Sequence, residues 1–74
     1  MGIAEDKKTI KEIAENIKKA REVKGWTQEE LAKKAGVDGN SLAKIERGES
    51  RPKGLTLVKI IKALGVKSSD ILPV

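Results

Sequence analysis

Apolar residues recur along the first third of the chain at the spacing of an α-helix, not at the alternation of a strand. Gly25 follows this stripe, and a glycine there suits the end of a helix. The pattern predicts a helix over about residues 6–24, with Asp6 or Thr9 as its N-cap. The stripe consists of Ile10, Ile13, Ala14, Ile17 and Ala20.

A stronger signal for a helix start is the run Thr27-Gln28-Glu29-Glu30. The Thr27 hydroxyl can accept a hydrogen bond from the Glu30 amide while the Glu30 carboxylate reaches back to the Thr27 amide, which is a capping box. Trp26 stands just before the cap, where an apolar residue staples the helix entry. The second helix therefore starts at Gln28, and its apolar face is Leu31, Ala32 and Ala35.

Three shorter helical patterns complete the chain. Asp38 is the expected N-cap of a helix over residues 38–47, with Leu42 and Ile45 facing inward. An apolar group at 57–64 predicts a fourth helix, and Ser68 or Ser69 is the expected cap of a last turn. The terminators are Gly36, Gly48 and Gly65, and the last turn is expected to bury Ile71 and Leu72. The sequence predicts an all-α fold of five helices, with a partly helical extension at 1–9 and one domain at 10–74.

Length and composition exclude several classes of function. Seventy-four residues make at most one domain with a small core, and the chain has no Cys and no His. Disulfides, thiolate or imidazole metal sites, cysteine nucleophiles and histidine bases are therefore excluded. No nucleophile–base pair or phosphate-binding loop is apparent either. We expect a protein that is not an enzyme and that uses no metal and no cofactor.

The charge favours a polyanionic partner. The chain carries 16 Lys and Arg against 11 Asp and Glu, a net charge of +5. Trp26 is its only aromatic residue, so a stacking platform for single-stranded nucleic acid is not expected. No apolar run approaches the roughly 18 residues that a membrane span needs. We expect a cytoplasmic protein that does not enter a membrane.

Residues 28–47 form the most informative unit, because two short helices are joined there by Gly36-Val37-Asp38. The small side chain of Ala32 lets the two helices cross closely, and Gly36 takes a backbone conformation that side chains disfavour. Such a unit holds its second helix away from the body, where the helix can enter the major groove of DNA.

On these residues the chain resembles the Cro/repressor family of helix-turn-helix domains (XRE, or lambda-repressor-like), from about Ile13 to Leu72. The resemblance implies a five-helix fold and a sequence-specific regulator of transcription, usually a repressor, that binds double-stranded DNA as a homodimer. It is carried by Ile17, Arg21, Gly25-Trp26-Thr27-Gln28-Glu29-Glu30-Leu31-Ala32, Gly36-Val37, Ile45-Glu46-Arg47-Gly48, Pro52 and Lys62-Ala63-Leu64-Gly65-Val66.

The resemblance also implies residue roles. It places the base contacts on the second helix of the unit, at Gly39, Asn40, Ala43 and Lys44. It implies phosphate contacts by Thr27, Gln28, Arg47, Arg51 and Lys53. It further implies an ion pair that ties the first helix to the third, between Arg21 and Glu46.

Two points stay open in the sequence. Gly39 and Ala43 stand where related proteins often carry long polar side chains, which indicates either close approach to bases or weak discrimination between them. The same fold also serves as a partner-binding module, for example in an antitoxin that binds a toxin.

The homodimer is expected to be weak, with a contact surface at the apolar C-terminal part, Leu64, Val66, Ile71, Leu72 and Val74.

Overall fold

The computed structural model of the chain describes residues 7–73, and this part of the chain contains five α-helices and no strand. Short connections join the helices, and the segment 47–53 between the third and fourth is the longest of them. The helices are α1 (Lys7–Lys24), α2 (Gln28–Ala35), α3 (Gly39–Glu46), α4 (Gly54–Leu64) and α5 (Ser68–Ile71).

The predicted helix starts have a direct cause in two side chains. Thr27 Oγ1 accepts a hydrogen bond from the Glu30 amide at 3.1 Å, and Glu30 Oε1 accepts one from the Thr27 amide at 2.9 Å, so the capping box of α2 is complete. Asp38 caps α3 by accepting from the Ser41 amide at 3.0 Å. These contacts satisfy amides that a helix start otherwise leaves without partners.

A single apolar core lies where α1, α2, α3 and α4 meet, and α5 closes one side of it. Trp26 and Val37 pack against this core from the two connections that flank α2. Asn16 fixes α5 to α1, because its side-chain Nδ2 donates to the Ile71 carbonyl at 2.9 Å. The buried cluster consists of Ile13, Ile17, Leu31, Ala32, Ala35, Leu42, Ile45, Ile60, Leu64 and Ile71.

Two predicted boundaries differ from the structure. α3 ends at Glu46, one residue early, because Arg47 is its C-cap and Gly48 then takes a φ of +73°. The N-cap of α5 is Lys67, so the prediction of Ser68 or Ser69 is wrong. Asp70 compensates for the missing hydroxyl cap, since its carboxylate accepts a hydrogen bond from the Lys67 amide at 3.0 Å.

The predicted dimer surface is also corrected. Leu64 and Ile71 are fully buried in the core, so they cannot contact a second chain. Val66 and Leu72 are half-buried, and Val74 lies outside the described residues. The structure instead exposes large apolar side chains at Val23, Leu55 and Val58.

The first helix runs through residues 9 and 10 without a break, although the sequence pattern predicts a boundary there between an extension and the domain. The predicted cap Asp6 and most of the extension 1–9 lie outside the described residues. Over residues 7–73, the helices lack the combination of length and apolarity that a membrane crossing requires.

The turn after α2 should depend on a glycine. Gly36 has a φ of +69°, so Gly36→Ala should lower the free energy of unfolding by about 1–2 kcal/mol, the cost of a left-handed conformation for an alanine. Thermal or urea denaturation measures this change.

Gly54→Ala is the matched control. Gly54 is helical, has an ordinary φ and has no atom within 4 Å of an added Cβ. The control should raise stability by about 0.4–1 kcal/mol. Equal effects of the two alanines would contradict the conformational argument.

Candidate nucleic-acid interface

The turn between α2 and α3 sets the angle between them. Gly36 is left-handed, and the Val37 amide donates to the Ala32 carbonyl at 3.0 Å across it. This hydrogen bond closes the end of α2 in the manner of a Schellman motif. Asp38 then begins α3 at once, so the two helices are held in one rigid unit.

The starts of α2 and α3 open onto the same surface groove. Because both helices begin at this groove, the positive ends of their dipoles lie there, and such a place favours an anion such as a phosphate. The pKa of the nearby Glu30 carboxyl is lowered, chiefly by the hydrogen bond from the Thr27 backbone amide. The groove is lined by Thr27, Gln28, Glu29, Asp38, Gly39, Asn40 and Ala43.

The groove brings together five of the residues predicted to touch DNA: Thr27, Gln28, Gly39, Asn40 and Ala43. Its lining includes two carboxylates, those of Glu29 and Asp38, and no basic side chain. Asp38 is engaged in capping α3. The floor of the groove is therefore suited to base edges, and basic side chains must come from its flanks.

The flanking basic residues lie on α3 and in the segment 47–53. Lys44 is exposed on α3, one turn after Asn40. Arg51 and Lys53 border a second groove, whose opposite wall is Ser41 and Ile45 of α3. The buried ring of Pro52 stands between these two basic residues and anchors the segment that carries them.

Arg47 is already engaged within this segment. Its Nε donates to Glu49 Oε2 at 2.9 Å and its Nη2 to Glu49 Oε1 at 3.2 Å. The hydrogen bonds between them raise the pKa of Arg47 and lower the pKa of Glu49. A phosphate contact by Arg47 would share the guanidinium with this carboxylate.

A buried ion pair lies behind the interface. Arg21 Nε lies 2.9 Å from Glu46 Oε2, and the exposed fractions of the two side chains are 12% and 1%. Arg21 Nη1 also donates to the Trp26 carbonyl at 2.7 Å, and Gln28 Nε2 donates to Glu46 Oε1 at 3.1 Å. The network connects α1, the start of α2 and the end of α3.

The hydrogen bond from Gln28 to Glu46 has no signal in the sequence. The two residues are 18 positions apart, and no local pattern marks them as partners. A glutamine amide nitrogen carries two hydrogens. One is given to Glu46, so a single N–H of Gln28 is left for a phosphate.

Comparison with known proteins identifies helix-turn-helix proteins as relatives of this chain. A family model described as "Helix-turn-helix" (HTH_3) matches residues 17–71. An HTH-type transcriptional regulator of Sinorhizobium fredii is 34% identical over 60 residues, which are 81% of this chain and 78% of that protein. One of Methanocaldococcus jannaschii is 42% identical over 55 residues, 74% of this chain and 83% of that protein.

Solved structures with the same fold include two bacterial proteins. The hypothetical transcription factor NHTF from Neisseria superposes with a TM-score of 0.82 at 32% identity, covering 90% of this chain and 78% of that one. The restriction-modification controller protein C.AhdI from Aeromonas hydrophila gives a TM-score of 0.81 and covers 85% of this chain and 96% of that one. Its identity is 24%, so that likeness concerns the fold alone.

The buried network should matter for stability. Arg21→Ala leaves the Glu46 carboxylate buried without its cation, which typically lowers the free energy of unfolding by about 3–5 kcal/mol. Glu46→Gln should have a smaller effect, because the amide keeps hydrogen-bonding groups at the same place. Thermal denaturation of the variants measures both changes.

Arg47→Ala is the matched control. The Arg47–Glu49 pair has the same 2.9 Å distance, but its side chains are 53% and 57% exposed. Ion pairs in water contribute little, so this variant should melt close to the wild type. Similar melting temperatures for the Arg21 and Arg47 variants would refute the role given to burial.

Proposed function

This chain belongs to the HTH_3 helix-turn-helix family and is a DNA-binding transcriptional regulator, and we propose that it is a repressor that inserts α3 into the major groove of double-stranded DNA. The observation that carries this proposal is the groove shared by the starts of α2 and α3. It places two helix starts, which favour a phosphate, beside the exposed first turn of α3, which suits contact with base edges. The proposed place of action is the cytoplasm.

Base recognition is assigned to four residues of α3. Asn40 is exposed and can form two hydrogen bonds to adenine N6 and N7, and Lys44 can donate to guanine O6 and N7. The methyl group of Ala43 suits contact with a thymine methyl, and Gly39 lets the backbone approach the bases. The lining of the groove by Gly39, Asn40 and Ala43 supports this assignment.

Phosphate contacts are assigned to both flanks of the groove. On the α2 side, Thr27 and Gln28 lie at a helix start, where an anion is stabilised. On the other side, Arg51 and Lys53 line a groove with Ser41 and Ile45 of α3. Arg47 belongs to the same flank and would exchange part of its contact with Glu49 for a phosphate.

The proposed oligomeric state follows from the small number of base pairs that one α3 can recognise. Each good bidentate contact supplies about 1–3 kcal/mol of discrimination, whereas a specific site needs about 4–10 kcal/mol over nonspecific DNA. Two long base-reading side chains per chain, Asn40 and Lys44, fall short. We therefore propose a homodimer on an inverted repeat. The dimer is weak, because Leu64 and Ile71 are committed to the core.

Base contacts and phosphate contacts should respond differently to mutation. Asn40→Ala should weaken binding to a duplex selected from a random pool by about 1–3 kcal/mol for each bound chain and should relax the preference at one position of each half-site. Lys53→Gln should weaken binding to all duplexes about equally and reduce the slope of log affinity against log salt by about 1 for each bound chain.

Fluorescence anisotropy over a salt series, on selected and scrambled duplexes, measures both effects. A wild-type affinity that does not change with salt would refute DNA binding. Copurification of the folded chain with another protein would then favour a partner-binding module of the antitoxin kind.

The dimer predicts a fixed spacing of half-sites. Two copies of α3 enter successive major grooves on one face of the duplex, so half-site centres should lie about 34 Å, or roughly 10 base pairs, apart. Inserting five base pairs between them turns one half-site by about half a helical turn, and cooperative binding should be lost.

An insertion of ten base pairs is the control, since it restores the facing. Gel-shift titrations of the three duplexes provide the measurement. Equal affinity for the original and the five-base-pair duplex would refute the dimer and leave a monomeric DNA-binding protein.

A further inference from the structure

The first helix begins well before the region that matches the family model. α1 begins at Lys7, whereas the matched region begins at residue 17. The additional turns lie against the segment that follows α3. A Cβ added to Gly48 would lie 3.4 Å from Lys11 Cγ and 3.9 Å from Lys11 Cα, so α1 packs closely on the backbone of this glycine.

A basic groove runs between these turns and the segment 47–53. Lys7, Ile10 and Lys11 form one wall, and Gly48, Glu49 and Arg51 form the other. Formal charges in this lining are three positive and one negative. The negative charge is Glu49, and its carboxylate is paired with a cation outside this lining.

This groove continues the proposed DNA contact. Arg51 lines the groove beside α1 and also the groove beside Ser41 of α3. The proposed phosphate contacts of the segment therefore border Lys7 and Lys11 directly. Both lysines are exposed and stand four residues apart, so they lie on the same face of α1.

We infer that Lys7 and Lys11 form an additional binding site for the phosphate backbone of duplex DNA, next to the phosphate that Arg51 contacts. This inference rests on the proposed function, since it places more of the same duplex against the chain. The contact carries no base information, because ammonium groups on a backbone bind every sequence alike. The additional turns of α1 thus strengthen DNA binding without changing its specificity.

The test is the double variant Lys7→Gln with Lys11→Gln. The slope of log affinity against log salt should become shallower by about 1–2 for each bound chain, since each phosphate contact contributes about 0.9. The affinity ratio between selected and scrambled duplexes should not change. Replacing both lysines by arginine keeps the charges and should keep the slope.

The control Lys19→Gln with Lys62→Gln removes the same net charge elsewhere. Lys19 lies on the outer face of α1 beside Glu15 and Glu22, and Lys62 lies in the last turn of α4. This control should leave the slope close to the wild-type value. An equal change in slope for the two glutamine pairs would overturn the site, because it would reflect net charge alone.

Two further experiments separate a loss of DNA binding from a loss of folding. One is thermal denaturation of each variant, and the other is DNA binding by the single variant Lys7→Gln. The Lys7 change alone should lower the slope by about 1 for each bound chain. The atoms that lie against Gly48 belong to Lys11, so this change leaves that packing intact. A slope unaffected by Lys7→Gln overturns the inference even if the double variant unfolds. If the wild type binds no duplex, the proposed function itself fails.

Discussion

The contact between the Arg21 guanidinium and the Glu46 carboxylate is the interaction on which the DNA-facing surface depends. It joins α1 to the end of α3 in a place that is largely shielded from solvent. Arg21 also donates to the Trp26 carbonyl, and Glu46 also accepts from the Gln28 amide. A buried charge is tolerated only with such partners, so one arrangement of three elements satisfies the pair. The orientation of α3 and the direction of Gln28 are thereby fixed together.

The small apolar core explains why polar ties matter in this chain. Its buried side chains are Ile, Leu and Ala, and the single Trp is only half-buried. A domain of this size buries a limited fraction of its surface, so little stabilisation is in excess. Asn16 on the Ile71 carbonyl, and Asp70 on the Lys67 amide, hold the short α5 where no capping hydroxyl is available. One long-range and one local hydrogen bond therefore help to position the shortest helix.

The sequence predicted the fold well, because its signals are local. The Thr27 capping box, the Asp38 cap and the terminating Gly36 each act within a few residues, and all three are confirmed. The dimer surface was wrong because an apolar stripe does not say whether it faces its own core or another chain, and Leu64 and Ile71 face the core. The contacts of Gln28 with Glu46 and of Lys11 with Gly48 join distant positions, so only the folded chain reveals them. The residues assigned to DNA remain predictions.

Trp26 gives this molecule a built-in optical reporter. It is the only aromatic residue of the chain, so near-ultraviolet emission comes from a single position. Its ring lies under the Lys34 ammonium at 4.8 Å and within 5.9 Å of the Lys24 ammonium, and its peptide bond leads directly into Thr27. Charges near an indole shift its emission, and a polyanion arriving at the start of α2 alters that field. We therefore expect the emission of unlabelled protein to respond when the groove beside Thr27 is occupied, through one residue that also packs against the core.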